Sequence, residues 1–338
     1  MSDADERFAT NHRIAKTARQ GRSLLIVFFL ILHFSGASQA LEIVDIRPTV
    51  VRGTFVSSDA ATQLAATSNY DPVGMLSING NTASGTLIRS DWVLTAAHVI
   101  SNSAGHFDLA SATFNVGGQP MVASYAEVHP NWNGDLGSGF DLALVKLAAP
   151  SASITPASFR DAPAQLTGQS ITFLGYGQGG TGDSGTIPDS AGVKRAGTNM
   201  LDTDGSILGM SPYIYMSDFD SGSSSDNSLG TSTPTEFESV LAPGDSGGGV
   251  FMTVGGSTIL VGVNSFVASF AGQANSTYGN IAGFVSIQPH IAWIDSIAHA
   301  PEPASIVLGL IAGFVIWRAI ECKSASTRKS AGKGQTGG

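Results

Sequence analysis

Between residues 70 and 299 the chain is broken into apolar runs of only four to six residues, each set off by clusters of Gly, Ser, Asn and Asp. The runs are Val73–Ile78, Gly85–Ile88, Trp92–Thr95, Leu142–Leu147, Ile171–Leu174, Gly249–Thr253, Thr258–Val263 and Gly283–Ile287. Segments this short cannot make helices of three turns, whereas short strands joined by turn residues close into a sandwich or barrel. The 41 glycines and a charged fraction of only 13% point the same way, so the expected fold class is all-β. Helical spacing emerges only at the end, where Pro289–Ala298 sets Ile291, Ile294, Ile297 and Ala298 three and four residues apart, with Trp293 available for packing. Residues 177–235, rich in Gly, Ser and Asp, read as long surface loops, and no internal repeat is present.

Charge is divided between tails and middle. Residues 41–300 hold seven of the 17 Lys and Arg but 21 of the 26 Asp and Glu, a net −14, which repels phosphate backbones and excludes nucleic acid as a partner. The single cysteine, Cys322, lies in the C-terminal tail, so no disulfide within the chain can staple the domain. Arg13, Lys16, Arg19 and Arg22 precede an apolar run from Leu24 to Leu32, which ends in Ser35–Ala40. That order predicts a secretory signal over 1–40, cut by signal peptidase after Ala40, with an uncleaved anchor as the alternative. The other end reads Pro301-Glu302-Pro303, an apolar stretch Ala304–Trp317, then Arg318, Lys323, Arg328 and Lys329. Basic residues hold that end on the cytoplasmic side. The arrangement over 300–338 resembles the PEP-CTERM sorting signal, which implies an exosortase-like processing enzyme and membrane contact through the C-terminal segment; an ordinary C-terminal anchor is the alternative. Either way the middle is expected to be exported, to the cell surface, matrix or medium.

Three places carry chemistry. Trp92–Val99 is a strand running into Ala96-Ala97-His98, where small residues allow tight packing beside an imidazole. Asp141 opens the apolar run Leu142–Leu147, and a carboxylate packed there needs a hydrogen-bond donor such as an imidazole N–H. Pro243-Gly244-Asp245-Ser246-Gly247-Gly248-Gly249 sets a hydroxyl among glycines, where a sharp turn can aim two backbone N–H groups at one point. Each alone has a bland reading as a core histidine, a solvent-facing strand end or a turn. Together they give the order His, Asp, Ser, one of the known orders for a nucleophilic triad.

These segments resemble the trypsin-like serine peptidases of chymotrypsin fold. Ser84-Gly85-Thr86-Leu87-Ile88, His129-Pro130, Gly175-Tyr176-Gly177, Val261–Phe266 and the closing helix around Trp293 add to the likeness, which covers about 70–299. The resemblance implies two six-stranded antiparallel β-barrels with a C-terminal helix, preceded over 41–69 by a pro-segment of undetermined structure. It implies an endopeptidase acting on protein or peptide, with Ser246 as nucleophile, His98 as general base and acid, and Asp141 orienting the imidazole. It further implies backbone N–H groups of Gly244 and Ser246 as oxyanion hole, and Asp245 as a structural acid for a new N-terminal amine. No cofactor or metal is expected: His98, His106, Asp108 and His129 lack paired ligand spacing.

By register Val240, six before Ser246, floors the primary pocket, Ser265-Phe266-Val267 pairs with substrate backbone, and Ala282 forms another wall. Val240 and Val267 would make a shallow apolar pocket for small aliphatic side chains. Val99 stands where many relatives carry cysteine, and Val50-Val51-Arg52-Gly53 faintly resembles an activated N-terminus, though cleavage after Thr49 is not tryptic. Two strings compete with this reading. A second Gly-Asp-Ser-Gly at 182–185 lies within the loop segment and has no apolar strand after it, so Ser184 reads as a turn residue. The pattern G-x-S-x-G at 244–248 also suits a hydrolase elbow, but that elbow needs a helix after the serine and the residues here read as turn and strand. A non-catalytic surface or matrix binding module on the same fold, and an esterase using the same triad, remain the alternative functions.

Overall fold

The computed structural model describes residues 58–298, apart from 102–108, 110–111, 164 and 271, together with short backbone segments at 29–31, 40–44 and 51–52. The remainder of the predicted N-terminal address and all of 300–338 lie outside the described residues. Among the described residues no helix is long and apolar enough to cross a membrane.

Six antiparallel strands close the first barrel: β1 (Val73–Ile78), β2 (Asn81–Arg89), β3 (Trp92–Thr95), β4 (Thr113–Val116), β5 (Gln119–Val128) and β6 (Ala143–Leu147), ordered β1-β2-β3-β6-β5-β4 and back to β1. The β1–β2 hairpin turns on Asn79 and Gly80, both at positive φ (52° and 78°), the two-residue geometry whose twist matches its strands. A second antiparallel sheet contains β7 (Ser170–Gly175), β8 (Arg195–Met200), β9 (Thr203–Asp204), β10 (Ile214–Asp218), β11 (Gly249–Val254), β12 (Ser257–Phe270) and β13 (Ile281–Ser286) in the order β8-β7-β11-β12-β13-β10-β9. Its outer strands are drawn together by the Asp202 N–H donating to Met216 O (3.0 Å) and by Asn199 Nδ2 donating to Asp218 O (2.7 Å).

Strand periodicity explains why these runs are apolar throughout. On β3 and β6, Val93, Ala143 and Val145 face the first barrel's interior, while Trp92, Leu94 and Leu144 face a seam shared with the second sheet. On the second sheet Val250, Ile259, Val261 and Phe284 fill its own core, while Phe251, Leu260 and Val285 turn to the same seam. Over these residues both faces of the strand are buried, so hydrophobicity no longer alternates. Helix α1 (Ser58–Ala65) and the final helix, here labelled α3 (Ile291–Ala298), cover the seam through Ala65 and Ile294; a one-turn helix, α2 (Ala97–Ile100), follows β3.

The runs Val73–Ile78 and Trp92–Thr95 match their strands, and the final helix forms where its spacing predicts. Two expectations need correction. The segment 177–235 is not only loops, since it supplies β8 and β10; on β8 the buried positions are Ala196, Gly197 and Asn199, which carry no apolar signal. Helical structure is not confined to the C-terminus either, because α1 buries the small residues Ala61 and Ala65 rather than large apolar ones. Ser184 is exposed in a hairpin turn, and after Ser246 the chain runs by a turn into β11, with no helix.

Leu260 is fully buried at the seam. Leu260→Ala is expected to lower unfolding free energy by about 2–5 kcal/mol, read as a reduced urea midpoint with unchanged m-value.

Candidate active site

The seam brings together residues far apart in sequence. The β3–β6 ladder pairs Thr95 with Ala143, so the chain just after β3 and just before β6 lies side by side. Ala96 and Ala97 are fully buried, and α2 turns His98 toward Asp141. Asp141 is fully buried. Its Oδ1 accepts the His98 backbone N–H at 2.9 Å, and its Oδ2 pairs with His98 Nδ1 at 2.7 Å and accepts from Ser265 Oγ at 2.6 Å. With the Nδ1 proton directed at the carboxylate, Nε2 is left as an acceptor, and it is hydrogen-bonded to Ser246 Oγ. Ser265 falls where the β12–β13 register shifts between Asn264 and Phe266, a bulge that re-aims its side chain toward Asp141.

Ser246 sits in the turn preceding β11. Gly247 has φ 79°, and a Cβ there would lie 1.9 Å from Thr95 Oγ1 and 2.4 Å from Ser84 O, so only glycine allows this turn to dock on the first barrel. The backbone N–H groups of Gly244 and Ser246 donate to no acceptor among the described residues. Their carbonyl sides are tied down: Pro243 O accepts from Gln178 N–H (3.0 Å) and Asp245 O from Gly248 N–H (2.8 Å). Asp245 is fully buried; one oxygen accepts the Gly177 N–H at 3.1 Å and the other has no partner among the described residues. Burial pushes this carboxyl well above its usual range, opposed by the Gly177 hydrogen bond and by Arg195.

The five expected pocket residues divide. Val240, Val267 and Ala282 pack in one buried apolar cluster, with Val267 directly opposite Ala282 across the β12–β13 ladder. Ser265 instead donates to Asp141, and Phe266 packs in a different cluster with Leu208, Met216 and Ala268. The edge of β12 beyond the bulge carries a further antiparallel strand from the chain itself, Val44 opposite Val267 and Leu41 opposite Phe270. Val51 and Arg52 pair likewise with Val240 and Ser239. His106 and Asp108 lie outside the described residues.

This geometry can be set beside known proteins. Residues 62–294 match the family model described as Trypsin. The chain belongs to the trypsin family. Among similar proteins are chymotrypsin-like elastase family member 1 of Homo sapiens, 26% identical over 234 residues (64% of this chain, 81% of the relative), and that of Felis catus, 28% identical over 242 residues (64% and 79%). The Bos taurus protein is 26% identical over 293 residues, covering 80% of this chain and 97% of the relative. This trypsin-family chain is a serine endopeptidase.

A carboxylate group with no signature in the sequence lies close to Val240 in the chain and in the fold. Asp218, Asp220 and Glu238 are buried, and Asp202 lies beside them, its Oδ2 accepting the Asp218 N–H at 3.2 Å. Glu238 Oε2 accepts from Thr235 N–H and Oγ1, both at 2.7 Å. Desolvation, with the neighbouring carboxylates adding to it, pushes Asp202 and Asp220 up to about 7 and Glu238 up to about 8. In the unfolded chain these groups ionise near 4, so between that pH and about 8 the folded protein holds protons the unfolded one has released. Stability therefore falls as pH rises through this window. Glu238→Gln should flatten the decline in Tm between pH 5 and 8, measured by thermal scans at fixed ionic strength; an unchanged slope would remove Glu238 from this account.

Proposed function

We propose that this protein is an exported endopeptidase that cleaves peptide bonds through an acyl-enzyme on Ser246. The observation that carries the reading is the continuous hydrogen-bonded path from Ser246 Oγ through His98 to a buried Asp141, beside two backbone N–H groups with no protein acceptor among the described residues. Ser246 Oγ attacks the scissile carbonyl as its proton passes to His98 Nε2. The carbonyl oxygen gains the negative charge and is held by the N–H groups of Gly244 and Ser246. Asp141 stabilises the imidazolium; His98 returns the proton to the leaving amine as the C–N bond breaks, and water, deprotonated by His98, then frees the acyl group.

The substrate lies extended along β12. Support comes from the strand Leu41–Val44 already paired there, since main-chain bonding to a sheet edge accepts any sequence while pockets select side chains. Val240, Val267 and Ala282 favour small aliphatic side chains before the scissile bond. Asp245, with one oxygen unpartnered among the described residues, is suited to receive an N-terminal amine, and the pairing of Val51–Arg52 with Ser239–Val240 supports a matured start near Val50. Export rests on the 1–40 and 300–338 signals, which also propose signal peptidase and an exosortase-like enzyme as processing partners.

Ser246→Ala should lower kcat by at least about 10⁴-fold and abolish labelling by a fluorophosphonate. Full activity in that variant would remove Ser246 as nucleophile, and a matured wild-type chain inert to the probe would favour a binding module. Turnover of matched ester and amide substrates separates esterase from peptidase. Val267→Gly should raise kcat/KM for Leu or Phe before the scissile bond, relative to Ala, by about tenfold or more; an unchanged ratio in a peptide-library digest would place the pocket elsewhere.

A further inference from the structure

The turn that carries Ser246 is held by two buried side chains to which the reaction assigns no role. Ser84, fully buried on β2, donates its Oγ proton to Gly244 O at 2.8 Å and accepts the Tyr176 N–H at 2.9 Å. Its own N–H donates to Ser246 O at 2.8 Å. Asn264, fully buried on β12, donates from Nδ2 to Leu174 O at 3.0 Å and to Asp245 O at 3.3 Å. Its backbone completes the grip: Gly247 N–H donates to Asn264 O (3.0 Å), and Asn264 N–H donates to Gly248 O (2.9 Å).

The consequence follows from the planarity of the peptide unit. In a trans peptide the N–H points opposite the preceding C=O, so fixing a carbonyl fixes the direction of the next N–H. The Ser246 N–H belongs to the peptide whose carbonyl is Asp245 O, the acceptor of Asn264 Nδ2. The Gly244 N–H shares its peptide with Pro243 O, which the Gln178 N–H holds; Ser84 holds the following carbonyl and so restrains the other side of Gly244, a glycine at φ 108°. A donor array works by being aimed in advance at charge that develops only in the transition state.

We infer that Ser84 and Asn264 are positioning residues of the oxyanion hole, acting on catalysis solely through the backbone of Gly244–Ser246. This inference rests on the proposed roles of Gly244 and Ser246. The two side chains contribute to transition-state binding without touching substrate, so losing either should leave ground-state binding intact.

The experiment compares the matured wild-type chain with Ser84→Ala, Ser84→Thr and Asn264→Leu, each checked by circular dichroism and Tm. Kinetics on a peptide amide are measured beside inhibition by a peptide boronate, which forms a tetrahedral adduct, and by the cleaved product peptide, which does not. Ser84→Ala and Asn264→Leu should each lower kcat about tenfold or more and weaken the boronate by a similar factor. KM and product affinity should stay within about twofold, and Ser84→Thr, which keeps the hydroxyl, should recover most of the loss. If Ser84→Ala fails to fold, the Ser84→Thr and Asn264→Leu measurements decide alone. Unchanged kcat in folded variants, or a fall in product affinity parallel to that in boronate affinity, would overturn the inference while leaving the nucleophile assignment intact. A wild-type chain that neither turns over the amide nor binds the boronate would overturn the reading of the site and the inference with it.

Discussion

A fully buried carboxylate at the meeting of two β-sheets sets the terms for the rest of this structure. Removing an ionised carboxylate from water costs several kcal/mol unless fixed donors replace its hydration. Asp141 has three: the His98 N–H, the His98 ring and the Ser265 hydroxyl. Two come from the first barrel and the third from a bulge in the second sheet, so this one charge ties the two halves at a defined distance. The same bonds choose the imidazole tautomer, because a proton held on Nδ1 leaves Nε2 as the acceptor facing Ser246. Fold and proposed chemistry thus rest on one electrostatic requirement.

What could be read from the sequence follows from what each position must bury. Strands that pack on both faces, such as Trp92–Thr95 and Ala143–Leu147, are apolar at every position but Thr95 and Lys146 and so stand out as runs. On β5 the buried positions are the small residues Ala123 and Ala126, while Val122 and Tyr125 are exposed, and on β8 the buried positions are Ala, Gly and Asn. Both strands are held by ladder bonds, and β8 also by Asn199, whose carboxamide spans Asp218 O and Ser239 O; backbone pairing leaves little mark on composition. Helix α1 escaped for a related reason, since its inward face is built from alanines.

The candidate site divides the same way. A histidine, an aspartate and a serine among glycines are chemically scarce combinations, and their order in the chain exposes them. Ser84 and Asn264 are common residues within strands, and only the approach of a loop some 160 positions from Ser84 gives its hydroxyl a purpose. The sequence suggests Ser265 only as a substrate-edge residue; its bond to Asp141 depends on a one-residue register shift that no local pattern announces. The buried carboxylates at Asp218, Asp220 and Glu238 are scattered over twenty residues of Ser- and Asp-rich chain that reads as solvated loop until the sheet rolls over it.

The turn that carries Ser246 shows how a small glycine-rich segment can be rigid without a disulfide or a large side chain of its own. A loop this short has few contacts to hold it, and its glycines carry the greatest backbone freedom of any residue. Here the restraint is applied from outside. Gln178 holds the carbonyl of Pro243, Ser84 those of Gly244 and Ser246, and Asn264 those of Asp245 and Gly248. Five of the six carbonyls from Pro243 to Gly248 are thereby anchored to neighbouring segments of both sheets, and the N–H groups of Gly244 and Ser246 are left with no protein acceptor among the described residues. Buried backbone groups are normally paired, so two such donors beside the Ser246 hydroxyl mark a cost in stability that the surrounding bonds offset. On the proposed mechanism, a turn held this way keeps its donors aimed before substrate arrives, and the energy to hold them comes from folding rather than from substrate binding.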